Sequence, residues 1–288
     1  MGCHKKTPIP RFILANKNSI AASALILATL TGSPVLAANV APPPKLAASG
    51  KIIYCSDISS PPLEYYNTKS KPVGSDIEIG DAIAGEMGLR PVWKNIPFSG
   101  IIPALLAGHC DAIISQLFDK PARRKVIDMV DYMYSSEALL VKRGHDHGIR
   151  GLADLSGLKV AVENGTTIAD ILHKQNKVFQ KIGKKPMDII VFPTDTDALQ
   201  ELVTGQVDAY GTTLETGAYY IKTHPATFAV AGKPFHKILT GVGVRKDNAE
   251  LAKAIQKAID NLHKTGKYNK ILKKWGISGD NLEQSVLQ

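Results

Sequence analysis

A chain of 288 residues, 44% apolar and 21% charged, is long enough to bury a substantial core and to divide into two lobes. That composition excludes a disordered chain. The formal charge of +9 falls to +5 once residues 1–37, which hold four basic and no acidic side chains, are set aside (9 − 4 = 5); the remaining Lys and Arg are mixed with acids and lack aromatic platforms, which argues against nucleic acid as a partner.

Lys5, Lys6, Arg11 and Lys17 precede an apolar run from Ile20 to Leu30, and Val35 and Ala37 then supply a small-residue cleavage site. This is the order of a secretory signal peptide over residues 1–37, so export to the periplasm is expected. No later segment reaches the roughly 18 apolar residues of a membrane span. Residues 38–50 include "APPPKLAASG", which has no apolar period and reads as a mobile leader. No cysteine follows the cleavage site to accept a lipid, so a soluble mature chain without a lipid anchor is expected.

From Lys51 the pattern is α/β. "KIIYCS" is a buried strand, and "SDIEIGDAIAGEMG" is a helix with Ile79, Ile83 and Met87 on one face and Gly88 as its stop. "RPVWKNI" is a second strand, "FSGIIPALLAG" a helix capped by Ser99 with Pro103 in its first turn, and "CDAIIS" a third strand. After the polar connection "KRGHDHGIRGLADLSG" the order repeats. "LKVAVENGTT" is strand, turn and helix start, "MDIIVFP" a strand, "TDTDALQELVTG" a helix with Leu199, Leu202 and Val203 on one face, and "QVDAYGTT" a strand. "LAGHCDAIIS" and "VTGQVDAYGT" match element for element about a hundred residues apart, which points to two similar α/β lobes. "HKILTGVGVRKDN" is a further strand, followed by "AELAKAIQKAIDNLHKTG" with Leu251, Ile255, Ile259 and Leu262 aligned, and by "YNKILKKWG". This tail returns to the first lobe. The expected division is residues 51–137 and 240–288 in lobe 1 and 138–239 in lobe 2, joined by two crossing strands.

Cys55 and Cys110 are the cysteines left after the signal. An exported protein with two cysteines can carry one disulfide. Cys55 ends a strand and Cys110 precedes one, so parallel neighbours would hold them at different heights, and two buried free thiols are expected. No Cys and His spacing suggests a metal site, no Gly-rich turn suggests a nucleotide cofactor, and no nucleophile elbow or P-loop is present.

Ligands of open parallel sheets sit beyond the carboxyl ends of the strands. The loops there are "SDISSPPLEYY", "IPFSG", "SQLFDKPARR", "VENGTT" and "YGTTLET". Arg123 offers a planar fork for a carboxylate; as part of "ARRK" it is equally the pattern of a solvated basic turn. Thr166 and Thr167 open a helix whose free amides suit an anion, or simply cap it. Asp57 can accept from an ammonium or close a turn. Phe98 and Phe118 can sandwich a flat or apolar group or belong to the core.

"SDISSPPLEYY", "VGSDIEIGDAIAGEMGL", "FSGIIPALLAGHCDAIIS", "PARRKVIDMVDYMY", "LADLSGLKVAVENGTT", "ALQELVTGQVDAY" and "TGKYNKILKKWG" together resemble the periplasmic solute-binding proteins of polar amino-acid ABC transporters, the family of the glutamine-, histidine- and lysine/arginine/ornithine-binding proteins. The resemblance spans Lys51 to Trp275. It implies the type II periplasmic-binding-protein fold, two α/β lobes on a two-strand hinge, and a monomer that hands a small carboxylate-bearing solute to an inner-membrane ABC permease without a cofactor or a reaction of its own. It places Arg123 on the carboxylate clamp, Thr167 on its helix-start support, Asp57 on an acidic side-chain contact, Phe98 on an aromatic wall and Ser115 on a backbone contact. Gln116 and Phe118 depart from the small residues usual there, and Thr213 stands where the family has the aspartate for an α-ammonium. Either Glu163 or Glu215 replaces that anion, or the solute lacks an ordinary α-ammonium. Two other readings on the same scaffold are a periplasmic enzyme similar to the cyclohexadienyl dehydratases, with Glu163 or Glu215 as general acid, and a receptor that docks onto a membrane sensor.

Overall fold

The computed structural model describes residues 38–288, so the proposed signal peptide lies outside the described residues. Lobe 1 opens with α1 (Pro44–Ser49) and β1 (Lys51–Ser56), followed by a small antiparallel sheet of β2 (Ser59–Ser60), β3 (Glu64–Tyr66) and β4 (Pro72–Val73). Then come α2 (Ser75–Glu86), β5 (Arg90–Asn95), α3 (Ile101–Leu106), β6 (Ala112–Ile113) and the short α4 (Pro121–Arg124). The long β7 (Ile127–Lys142) carries the chain across to lobe 2, built from β8 (Lys159–Glu163), α5 (Thr167–Lys181), β9 (Asp188–Phe192), α6 (Asp195–Thr204), β10 (Ala209–Thr213) and α7 (Leu214–Thr223). β11 (Phe228–Arg245) returns, and α8 (Ala249–Lys264), α9 (Lys267–Trp275) and β12 (Asn281–Leu287) close lobe 1.

β7 and β11 pair antiparallel from Phe228↔Lys142 to Arg245↔Ile127, interrupted by register shifts around Ala231, Phe235 and Ile238. This ribbon runs through both lobes. Hydrogen bonding is therefore continuous in the order β5-β1-β6-β11-β7-β10-β8-β9, and the irregular pairing at its middle is where the ribbon passes from one core to the other. β1, β5 and β6 are parallel in one lobe, as are β8, β9 and β10 in the other.

The internal sequence match has a physical counterpart. Gly108 and Gly205 both take left-handed backbone angles after a helix (φ 75° and 77°), and each is followed three residues later by an aspartate. Asp111 Oδ2 accepts from Ile53 N at 2.8 Å, and Asp208 Oδ2 accepts from Lys159 N at 2.8 Å. In each lobe the aspartate thus ties the start of one strand to the amide of its parallel neighbour.

Burial follows the apolar faces read from sequence. Ile79, Ile83 and Met87 of the second helical segment and Leu251, Ile255, Ile259 and Leu262 of α8 join one core of lobe 1. Four expectations require correction. The leader is ordered at its end: Pro44 at the first helical position begins α1, Gly50 ends it in a left-handed conformation, and Val40 and Leu46 enter the lobe 1 core, an anchoring by two isolated apolar residues that no period reveals. Ser99 lies in a 3₁₀ turn, Phe98–Gly100, and does not cap α3. Val203 is exposed, and Ala198 takes the inward place with Leu199 and Leu202. Cys55 and Cys110 form a disulfide with Cα atoms 5.7 Å apart. Cys110 precedes the two-residue β6, so strand register does not set its height, and the turn after Gly108 delivers it to Cys55.

The cross-link closes a loop of 55 residues within lobe 1. Replacing both cysteines by serine is expected to lower stability by about 2–4 kcal/mol, read as a shift in the urea midpoint, with reductant causing the same shift in the parent and none in the variant.

Candidate functional site

The carboxyl ends of both parallel strand sets converge on one cavity. Asp57 follows β1, Phe98 follows β5, and Ser115, Gln116 and Phe118 follow β6, while Glu163 ends β8, Thr166 and Thr167 open α5 and Thr213 ends β10. Arg123 enters from α4, which Pro121 starts with its fixed φ. The structure brings these ten residues, singled out above, to this cavity.

Arg123 is 8% exposed and tightly held. Its Nη1 donates to Phe118 O at 2.8 Å and its guanidinium carbon lies 5.3 Å from the centre of the Phe98 ring. It forms no ion pair among the described residues, and burial lowers its pKa to about 10 despite the acids around it. A guanidinium with most of its donors uncommitted inside protein is set to receive an acceptor. Its neighbour Arg124, by contrast, pairs with the buried Asp119 at 2.9 Å and is not simply solvated.

On the facing side Thr166 caps α5, accepting from Ala169 N at 3.3 Å while donating to Glu163 O at 2.8 Å. The Thr167 hydroxyl is buried and has no protein partner. Gly165 fits only without a side chain: φ is +81°, and a Cβ there would lie 2.9 Å from Ser99 Cα of lobe 1. The lobes also meet through the Lys120–Asp170 ion pair at 2.9 Å, the bond from Asp195 N to Ser59 Oγ at 3.2 Å, and the tilted Tyr65–Tyr219 ring pair.

Gln116 occupies a strained position (φ 42°) and bridges the lobes. Its Nε2 donates to Ser135 Oγ and to Glu215 Oε2, each at 2.9 Å, and its Oε1 accepts from Thr213 Oγ1 at 3.3 Å. Glu215 Oε2 is thereby committed to Gln116 and Ser135, while its Oε1 is buried without a protein partner. Of the two acids proposed to replace the missing anion, Glu163 lines the cavity and Glu215 does not.

Sequence reasoning missed most of the acids. Glu64, Glu137 and Asp195 join Asp57 and Glu163, so five carboxyl groups face one guanidinium. Glu64 accepts from Ser115 Oγ at 3.1 Å, and Asp57 accepts from Phe98 N at 2.7 Å. One oxygen each of Glu64, Glu163 and Asp195 has no protein partner. Burial raises Glu163, and the Asp57 and Asp195 carboxylates raise it further. Burial likewise raises Glu64, with Asp76 adding to it, and Glu137, with Glu215 adding to it. Asp195 is pushed up to about 7, again chiefly by burial. The signal for these acids was an isolated carboxylate inside or beside an apolar run, as in "YSSEALLV" around Glu137.

Two α/β lobes on a two-stranded ribbon, with a polar cavity at their facing strand ends, define the architecture of a two-lobed solute-binding receptor. Residues 52–278 match the model of the bacterial extracellular solute-binding proteins, family 3. The lysine/arginine/ornithine-binding periplasmic protein of Escherichia coli (strain K12) is 28% identical over 260 residues, 88% of this chain and 96% of that protein. The L-cystine-binding protein TcyJ of the same strain is 27% identical, covering 80% of this chain and 84% of that protein. An ancestral arginine-binding protein bound to arginine superposes with a TM-score of 0.72 at 35% identity, covering 78% of this chain and 98% of its own. An ancestral amino acid-binding protein described as a precursor of cyclohexadienyl dehydratase superposes with a TM-score of 0.73 at 28% identity, covering 80% of this chain and 97% of its own. The chain belongs to family 3 of the bacterial extracellular solute-binding proteins. Among the described residues no helix is long and apolar enough to cross a membrane.

The raised carboxyls fix the sign of a pH effect. An aspartate near 3.9 in the unfolded chain and about 7 in the fold, as at Asp195, keeps its proton in the folded state alone between those values. Its stabilising contribution is full below about pH 4 and lost as pH rises through about 7; Asp131 and Asp280, also about 7, act in the same direction. The ligand-free protein is therefore expected to melt at lower temperature at pH 8 than at pH 5, with Asp195→Asn weakening that dependence. Gly165→Ala is expected to hold the lobes apart, read as a larger radius of gyration by small-angle scattering than the parent under identical conditions.

Proposed function

We propose that the protein is the periplasmic receptor of an ABC importer and captures an amino acid, or a related compound, that carries one carboxylate and a basic side chain. The observation that carries this reading is the cavity's charge: one buried guanidinium with most of its donors uncommitted, Arg123, opposite the carboxyl groups of Asp57, Glu64, Glu137, Glu163 and Asp195. A carboxylate satisfies Arg123 and Thr167, and cationic groups satisfy the acids. Asp57 and Glu163 come from opposite lobes, so a cation between them removes a repulsion that otherwise opposes closure. The solute thus binds the closed form better than the open one, and that difference drives closure. The relatives named for arginine and for lysine, arginine and ornithine support the same solute class.

Capture by a monomer, delivery to an inner-membrane permease and export by residues 1–37 complete the proposal. A dehydratase role fits less well: prephenate and arogenate each carry two carboxylates, and five carboxyl groups beside a single guanidinium repel a second anion.

Isothermal calorimetry tests this directly. Lysine or arginine is expected to bind and glutamate not to bind. Arg123→Ala is expected to weaken binding of the basic amino acid by about 2–5 kcal/mol, as removal of one partner from a desolvated ion pair does. Unchanged affinity in that variant would remove Arg123 from the site.

A further inference from the structure

The far end of α5 carries a surface that solute capture does not use. Lys174, Lys177, Val178, Lys181 and Ile182 stand at i, i+3, i+4, i+7 and i+8, on one face of the helix, and all are exposed. Leu172 and Phe179 occupy the opposite face, in the lobe 2 core. Gly183 (φ 71°) ends the helix, and Lys184 and Lys185 extend the basic surface beyond it. From 171 to 187 there are five lysines and no acidic residue, and none of the five lysine ammonium groups forms an ion pair or a hydrogen bond among the described residues. In their midst Ile182 is 60% exposed and Val178 45%, among the most exposed large apolar side chains described.

The chemistry of this face favours a bilayer over a protein. Protein interfaces are enriched in Tyr, Trp and Arg and depleted in Lys. Here the cations are all lysines, mobile point charges that suit a diffuse field of anionic headgroups, with aliphatic side chains placed to enter the interface between them. The C-terminal helix α9 is also lysine-rich, at Lys267, Lys270, Lys273 and Lys274, but presents no exposed aliphatic residue among those lysines, since Ile271 and Leu272 are buried. We propose that the outer face of α5 docks the protein reversibly onto an anionic phospholipid surface. Ile182 is 15 residues from Thr167 at the cavity, a rise of about 22 Å along the helix, so the cleft stays clear of the docked face.

Co-sedimentation of the exported protein with vesicles of phosphatidylglycerol and phosphatidylethanolamine tests the proposal, with phosphatidylcholine vesicles as the neutral control. The protein is expected to pellet with the anionic vesicles at low salt, and to stay in solution with neutral vesicles or at high salt. Charge reversal by Lys177→Glu with Lys181→Glu is expected to lower partitioning at least about tenfold, from a contribution of about fivefold per lysine. Ile182→Ser is expected to lower it as well, whereas Lys270→Glu with Lys273→Glu on α9 leaves it within about twofold of the parent. Equal melting temperatures show that each variant is folded. Absence of pelleting, equal loss from the α9 pair, or retention only by vesicles that also contain a permease would overturn the assignment to lipid.

Discussion

Burying charge in a space closed by two lobes is expensive unless each charge meets its complement, and this cost organises the molecule. Arg123 and five carboxyl groups stand within one cavity whose walls come from opposite lobes. Burial, with neighbouring carboxylates adding to it, raises Glu64, Glu137, Glu163 and Asp195. On the proposed reading, a cationic group of the solute favours the ionised form of these acids. Binding and closure are, on that same reading, aspects of a single electrostatic event, with the lobes brought together by the charge that the solute supplies.

The fold serves that event by where its strands end. Each lobe places the carboxyl ends of three parallel strands toward the other, and the two antiparallel strands β7 and β11 keep the lobes in one hydrogen-bonded ribbon. The aspartates that secure the strand starts, Asp111 and Asp208, lie at the far ends of the same strands. Rigid anchoring at one end and functional side chains at the other let each lobe act as a unit. Direct contacts such as Gly165 against Ser99 and Lys120 with Asp170 then set how close the two units come.

Much of this was legible in the sequence because it depends on local order. Strand, helix and turn signals located the loops at the strand ends, and those loops supplied Asp57, Phe98, Ser115, Gln116, Phe118, Arg123, Glu163, Thr166, Thr167 and Thr213. What was not legible depends on distance across the fold. Glu137 lies in the middle of β7 and is a cavity residue only because the ribbon passes beneath the cleft. Asp195 begins α6, where an acid is expected on dipole grounds alone; only the fold shows that it is buried, with Thr212 of β10 donating to its Oδ1 at 3.3 Å. The disulfide, α1, α7 and β12 were missed for related reasons: a two-residue strand sets no register for Cys110, and short elements take their stability from the core they touch.

A crystal structure of the protein grown with arginine tests the central claim most directly. The account predicts closed lobes, the solute carboxylate paired with the Arg123 guanidinium and near the Thr167 hydroxyl, and its side-chain cation within hydrogen-bonding distance of Asp57, Glu163 or Asp195. Arginine bound elsewhere, or held in the cleft with its carboxylate among those acids and Arg123 still uncommitted, would contradict it.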